Sequence, residues 1–410
     1  MDLQLRQSGV NLKSQIAITG SKSETNRLLL LQALYPNLKL DNVSNSDDSV
    51  VMTKALLSDE SVIDIHHAGT AMRFLTAFFA TQEGREVTLT GSSRMQERPI
   101  SILVDALRQL GAEIHYEKNE GYPPIRISGK KLTQSKVRLN ANVSSQYISA
   151  LLLVAPCLEN GLELTLEGAL TSIPYIRMTL SLLQEIGVDT TFDGNRITVA
   201  PKAVVETQNI TVESDWSSAS YYYSIVAMAP IGTEITLSSY KENSFQGDSD
   251  LGSIYRHFGV ESVFEGHKVT LRKNAITNQE QIAFDLKNTP DIAQTIAVTC
   301  FGLHKACYLT GLHTLKIKET DRLVALQNEL TKLGAVITIT DDSLTLEASE
   351  VIKSDVVIQT YQDHRMAMAF APLALKTSLI INEAEVVSKS YPGFWEDLRK
   401  IGFQIQEQEL

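Results

Sequence analysis

Five times along the chain an amphipathic helix ends on an apolar residue, a glycine follows, and a short strand begins. The copies read LVDALRQLGAEIHY, LSLLQEIGVDTTF, IYRHFGVESVF, LQNELTKLGAVITI and WEDLRKIGFQI. Their glycines, Gly111, Gly187, Gly259, Gly334 and Gly402, are spaced 76, 72, 75 and 68 residues apart. Each stands just past its helix, where a residue without Cβ takes the left-handed backbone that stops a helix. In the first copy Ile100, Leu103, Val104, Leu107 and Leu110 follow helical spacing and form one buried stripe.

A second pattern alternates with the first: a polar cluster, an almost wholly apolar helix, a short turn and a strand. Its six copies begin at SKSETNRLLLLQAL, GTAMRFLTAFFA, SSQYISALLLV, SSASYYYSIVAM, PDIAQTIAVTC and DHRMAMAFAPLAL. Helices apolar on nearly all sides belong inside a domain. Six copies in 410 residues give units of about 70 residues, each with two helices and three or four strands. A parallel βαβ barrel would alternate faster and more regularly. A chain this long exceeds one ordinary core, so the units group three and three into two α/β domains rather than one large domain with accidental repeats. The stretch PKAVVETQNITVESD, Pro201 to Asp215, is where the chain is expected to cross between them.

Composition narrows the function. With 43% hydrophobic and 21% charged residues the chain is globular, not disordered or fibrous. A net charge of −11 argues against broad attraction to nucleic acid or an anionic membrane, while leaving room for a small basic pocket. Cys157, Cys300 and Cys307 lie in apolar surroundings without CxxC spacing, so buried, reduced thiols are expected and no zinc site. The start MDLQLRQSGV has no signal-peptide pattern, and no apolar run approaches the ~20 residues of a membrane helix. The expectation is a cytoplasmic monomer that acts on small anions, with no metal or organic cofactor and no nucleic-acid or membrane partner.

The polar clusters all fall at the starts of the apolar helices. A helix start offers unpaired N–H groups and partial positive charge. Dipoles alone are weak, up to ~2 kcal/mol each when partly buried, against an idealised cost of order 20 kcal/mol to desolvate one ion. Discrete cations must supply the rest, and Lys22, Arg27, Arg73, Arg98, Lys318, Arg322, Arg365 and Lys389 stand at or beside these starts. Guanidinium forks suit carboxylate and phosphate, and a lysine adds a transferable proton. Taken singly, SKSETN reads equally well as a capping box, SSQ and SSAS as ordinary caps, and KETDR as a solvated first turn. Six such clusters in one repeated position point instead to a site for a small polyanion. GxxxxGKS, GxGxxG, HExxH and GxSxG are absent.

Eight motifs in order, GSKSETNR, AGTAMR, RMQERPI, SSQY, PDIAQT, KETDRL, DHRMAM and SKSYPGF, span the chain end to end. In them it closely resembles the 5-enolpyruvylshikimate-3-phosphate synthases (3-phosphoshikimate 1-carboxyvinyltransferases) of the enolpyruvyl transferase family. The resemblance implies a two-domain inside-out α/β barrel, each domain made of three βαβαββ units around buried helices, with the active site in the interdomain cleft. It implies an upper domain over 19–213 and a lower one from 1–18 with 214–410. The implied reaction moves the carboxyvinyl group of phosphoenolpyruvate to the 5-hydroxyl of shikimate 3-phosphate and releases phosphate. Shikimate 3-phosphate would meet Lys22, Ser23, Arg27, Ser144, Ser145, Gln146, Ser172, Asp291 and Lys318. Phosphoenolpyruvate would meet Lys22, Gly69, Arg98, Gln146, Arg322, Arg365 and Lys389. Asp48, Tyr175 and Asp215 fall where they would support the site. Four positions depart from the common pattern, His67, Phe74, Ile173 and Thr314, and these bear on affinity and on inhibition by glyphosate.

Addition followed by elimination through a tetrahedral ketal phosphate needs acid–base groups at the hydroxyl and at the methylene carbon. The resemblance implies Asp291 as base toward the 5-hydroxyl and Glu319 as proton donor and acceptor at the methylene carbon. Lys22 would protonate the departing phosphate, and His364 would orient its neighbours. Two rivals are enolpyruvyl transfer to UDP-N-acetylglucosamine, which relies on a loop cysteine, and a non-enzymatic six-repeat clamp around nucleic acid. The cysteines here sit in helix or strand contexts, and a clamp needs basic surface spread over many turns.

Overall fold

In the computed structural model, which describes residues 1–140, 144–168, 173–318 and 320–408, the chain forms two compact units. One is Gly20–Val212; the other joins Met1–Thr19 to Glu213–Leu410. Each has its own hydrophobic cluster, and no buried apolar residue belongs to both.

The unit of residues 20–212 carries helices α1 (Lys22–Leu34), α2 (Asp47–Leu56), α3 (Gly69–Ala80), α4 (Ser93–Gln96), α5 (Ser101–Gln109), α6 (Ser145–Val154) and α7 (Ile173–Glu185). The apolar helices α1, α3 and α6 are its interior. In α3 every residue but Thr70 is buried, and in α6 every residue but Gln146. Around them lie two four-stranded sheets of one design. In the first, Val62–Asp64 pairs parallel with Glu86–Thr90 across α3, a crossover of the βαβ kind. After α5, a hairpin of Glu113–Tyr116 and Ile125–Ser128 then completes the sheet antiparallel. Register puts Val87, Ile127 and Ile114 in one row, all buried, so the alternation of each strand feeds the core. The second sheet repeats this with Lys136–Asn140, Leu162–Glu167, Arg196–Val199 and Thr190–Asp193. The third is only a parallel pair, Leu38–Asp41 with Gln208–Thr211. The first repeat therefore lacks its hairpin, which is why six apolar helices accompany only five helix–glycine–strand segments.

The other unit has α8 (Trp216–Met228), α9 (Leu251–Arg256), α10 (Ala293–Gly302), α11 (Arg322–Leu333), α12 (His364–Phe370) and α13 (Phe394–Lys400). All residues of α8 and α10 are buried. Its three sheets each have four strands: a parallel pair, then two antiparallel strands. One of them draws on both ends of the chain. The strand Leu3–Leu5 lies between Leu379–Ile381 and Ile405–Glu407, antiparallel to both. The strand leading into α1, Lys13–Ile16, pairs with Glu234–Ser238, which follows α8. The strand leading into α8, Gln208–Thr211, pairs with Leu38–Asp41, which follows α1.

The five helix-ending glycines all have positive φ, from 77° at Gly259 to 115° at Gly402. At Gly259 a Cβ would in addition stand 2.0 Å from the Ala275 carbonyl oxygen, so both backbone angle and space require glycine there. One expectation is corrected. Cys300 and Cys307 are buried, but Cys157 is exposed, because it ends the short 3₁₀ segment Ala155–Cys157 where the chain leaves the core behind α6. Among the described residues no helix is long and apolar enough to cross a membrane, and no cluster of His, Cys, Asp and Glu is arranged to hold a metal ion.

Candidate active site

In the unit of residues 20–212, polar chemistry gathers at the starts of α1, α3 and α6. Lys22 is the first residue of α1, its Nζ 3.8 Å from Asp48 at the start of α2. Ser21, the N-cap, makes no side-chain capping bond, so the capping-box reading of SKSETN fails. Arg27, one turn on, is 2% exposed. Its guanidinium donates to Thr179 Oγ1 at 2.8 Å, the Ser23 carbonyl at 2.6 Å and Ser149 Oγ at 2.9 Å. It also lies over the rings of Phe74 and Tyr175. Burial brings Arg27 down to about 10. This arginine ties α1 to α6 and α7 and holds the backbone that carries Ser23.

At the start of α3, Gly69 touches Arg98 so closely that a Cβ would stand 2.5 Å from the guanidinium Nη1. Arg73 is buried beneath, donating to the carbonyls of Gly69 at 3.0 Å and Pro99 at 3.2 Å. Tyr147 Oη also donates to the Pro99 carbonyl, at 2.7 Å. Arg73 thus fixes the two backbone segments from which Gly69 and Arg98 project. The starts of α3 and α6 are joined where they are least buried, by Gln146 Nε2 donating to Thr70 Oγ1 at 3.1 Å. Ser144 caps α6 through the Gln146 N–H, and Ser145 is buried behind it. Ser172 lies outside the described residues.

In the other unit, the starts of α8, α10, α11 and α12 carry an ionic cluster. Asp291, in the 3₁₀ turn Pro290–Ile292 that opens α10, faces three cations. Lys318 Nζ is 3.2 Å away, Arg322 Nη1 2.9 Å and Arg365 Nη2 3.4 Å. Arg322 is 1% exposed and its Nε donates to Asp363 at 2.6 Å, so the arginine of KETDR is not a solvated side chain. A buried guanidinium needs such partners to offset its desolvation. Asp363 in turn caps α12 through the Arg365 N–H at 2.9 Å, and its other neighbour, His364 Nδ1, is 3.9 Å away. Lys389, from a separate 3₁₀ segment, donates to the Gln362 carbonyl at 2.7 Å. Glu319 lies outside the described residues.

Electrostatics follow from these contacts. Burial alone raises the Asp291 carboxyl, but Arg365, Lys318 and Arg322 outweigh it and hold the group well below the usual carboxylate range. Burial pulls the Arg365 guanidinium down, and the negative charges around it, Asp291 foremost, hold it well above its ordinary value. A further carboxyl, Asp248, accepts a short bond from the Ser217 hydroxyl at the start of α8. Burial and the charge of Asp291 push Asp248 up to about 6, although Arg365 and Ser217 pull it down.

Two members of this cluster, Asp248 and Asp363, are missing from the residues singled out in the sequence. Asp363 had a usable signal, an aspartate directly before a helix start. Asp248 had none, because it lies in a four-residue 3₁₀ turn, Gly247–Asp250, with no periodicity around it.

The family model for EPSP synthase (3-phosphoshikimate 1-carboxyvinyltransferase) matches residues 37–398. A Bacteroides fragilis protein named 3-phosphoshikimate 1-carboxyvinyltransferase is 47% identical over 399 residues, covering 96% of this chain and 97% of its own. A Shewanella pealeana protein of the same name is 34% identical over 416 residues, covering 94% and 96%. An EPSP synthase structure from Acinetobacter baumannii superposes with a TM-score of 0.84 over 99% of this chain and 100% of the other, at 20% identity, and shares the fold. Continuous matching of this extent, over the segments that carry the two clusters of charge, makes the chain a member of the EPSP synthase (3-phosphoshikimate 1-carboxyvinyltransferase) family.

Proposed function

We propose that the chain transfers the carboxyvinyl group of phosphoenolpyruvate to the 5-hydroxyl of shikimate 3-phosphate. The observation that carries this reading is Asp291 held among Lys318, Arg322 and Arg365 in a member of this family. Arg98, Arg322, Arg365 and Lys389 hold the carboxylate and phosphate of phosphoenolpyruvate. Lys22 meets both substrates, and Ser23, Ser144, Ser145, Gln146 and Ser172 bind shikimate 3-phosphate. Arg27 supports Ser23 from behind.

The ion pairs suggest how binding arms the base. With three cations beside it Asp291 is too acidic to take a proton efficiently, since a general base works best near the operating pH. Phosphate and carboxylate groups that claim Lys318, Arg322 and Arg365 withdraw those charges from Asp291, and its affinity for a proton rises. The base then becomes competent only when both substrates are in place. Asp291 takes the proton of the 5-hydroxyl as its oxygen attacks C2 of phosphoenolpyruvate, and Glu319 delivers a proton to the methylene carbon. Glu319 then takes a methyl proton back as phosphate departs, protonated by Lys22, and the double bond of the product is restored. His364 orients this machinery. The arginines hold the reacting groups in line and stabilise the charge that builds on the intermediate.

Phosphate release from phosphoenolpyruvate with shikimate 3-phosphate, with UDP-N-acetylglucosamine and with neither tests the reading. Release is expected with shikimate 3-phosphate alone; release with the nucleotide sugar instead would overturn it. Asp291→Asn should lose roughly 10²–10⁴-fold in kcat while still binding shikimate 3-phosphate in a titration. Near-normal turnover would remove Asp291 from the proton transfers.

A further inference from the structure

Two consecutive residues ahead of α12, Tyr361 and Gln362, have left-handed backbone, with φ of 54° and 56°. Neither is glycine, so the turn is strained and persists only where its surroundings over-determine it. The surroundings are on α11. Arg322 and Glu329 stand two turns apart on one face of that helix and grip the loop at two points. Arg322 holds Asp363 just after the strained pair. Glu329, fully buried, holds the loop just before and within it, accepting from the Gln359 N–H at 3.0 Å and from Tyr361 Oη at 2.7 Å. At the crest of the turn the Gln362 carbonyl receives Lys389 Nζ at 2.7 Å.

We propose that Glu329 and Tyr361 are positioning residues for phosphoenolpyruvate: their bond locks the left-handed turn at 361–362, which sets the carbonyl that anchors Lys389 and the carboxylate that anchors Arg322. The proposal rests on the assignment of Lys389, Arg322 and Arg365 to phosphoenolpyruvate. Glu329 also pairs with Lys332 one turn on, an i,i+3 contact of 2.6 Å. That contact gives no reason for a carboxylate with 0% exposure to bond the backbone of another segment. The strained turn gives one.

The test compares Tyr361→Phe, Glu329→Gln, the double variant and Lys332→Met with the unaltered protein. Phosphate release is first measured in the unaltered protein; its absence would sink the substrate assignment itself, whatever the variants do. With turnover present, Tyr361→Phe and Glu329→Gln should each raise KM for phosphoenolpyruvate about tenfold, the scale of a slightly misplaced binding group. Binding of shikimate 3-phosphate alone should change less than about twofold, and the double variant should be no worse than the poorer single one. Amide exchange at residues 363–366 should accelerate in the same variants. Lys332→Met, which removes the ion pair but leaves Glu329 its bonds to the Gln359 N–H and Tyr361 Oη, should change KM less than Tyr361→Phe or Glu329→Gln does. An unchanged KM in Tyr361→Phe and Glu329→Gln would overturn the proposal, even with faster exchange. So would equal losses for both substrates with a lower melting temperature, because that pattern reports a purely structural carboxylate.

Discussion

Asp248 shows what burial does to a carboxyl left without a cation of its own. It accepts a hydrogen bond from the Ser217 hydroxyl but has no ion pair among the described residues, while Asp291 nearby collects three cations. Its folded pKa of about 6 lies above the ordinary 3.8. Between those values the folded chain holds the proton that the unfolded chain has released, so this group lowers stability as pH rises from 4 to 6. Above that window the penalty is complete. Asp248→Asn keeps the acceptor for Ser217 and removes the charge, so it should raise Tm at pH 7.5 by about 2–4 °C and leave Tm at pH 4 unchanged. Differential scanning calorimetry at both values checks this; a gain of equal size at pH 4 would assign the effect to packing.

At the scale of elements, the inner helices follow polar clusters and bury most of their length. That much was legible, because an all-apolar helix behind a polar cluster can satisfy its composition in few other ways. The glycine stops were legible for the same reason: a left-handed helix end leaves a mark in the sequence. What the pattern could not separate is a cation that binds substrate from one that builds the site. Arg27 and Arg73 stand at helix starts beside Lys22 and Arg98, and their guanidinium groups also brace neighbouring segments inside the unit. The exchange of the strands ahead of α1 and α8 was equally hidden, since neither carries a residue that names its partner. Gly69 belongs to this scale, as the point where a helix start meets an arginine. Gly69→Ala places a Cβ 2.5 Å from Arg98 Nη1 and 3.0 Å from Cζ. The group in the way is the far end of an exposed side chain rather than backbone, so the variant should fold with little change in Tm. Arg98 must shift, and KM for phosphoenolpyruvate should rise about tenfold. Unchanged steady-state kinetics would mean that Arg98 does not touch the substrate.

For the whole molecule the decisive fact is that two apolar clusters share no residue, while the chain passes from one unit to the other twice, at Thr19–Gly20 and at Val212–Glu213. Stability should then be partitioned. The strand Leu3–Leu5 tests this, because it is central to its sheet and lies at the far end of the chain from most of its own unit. Leu5 is fully buried, and Leu5→Ala should cost about 2–5 kcal/mol by lost burial and the cavity left behind. The loss should appear as faster hydrogen exchange in α8, α10 and the strand Leu379–Ile381, which pack in the same cluster. Amides of α3 and α6, whose side chains belong to the other cluster, should keep their protection. Equal acceleration in both sets would mean that the two clusters unfold as one cooperative body. In that case a substitution in either unit would weaken both sets of substrate contacts through stability alone, and loss of activity could no longer be assigned to a half-site without first measuring how much protein remains folded.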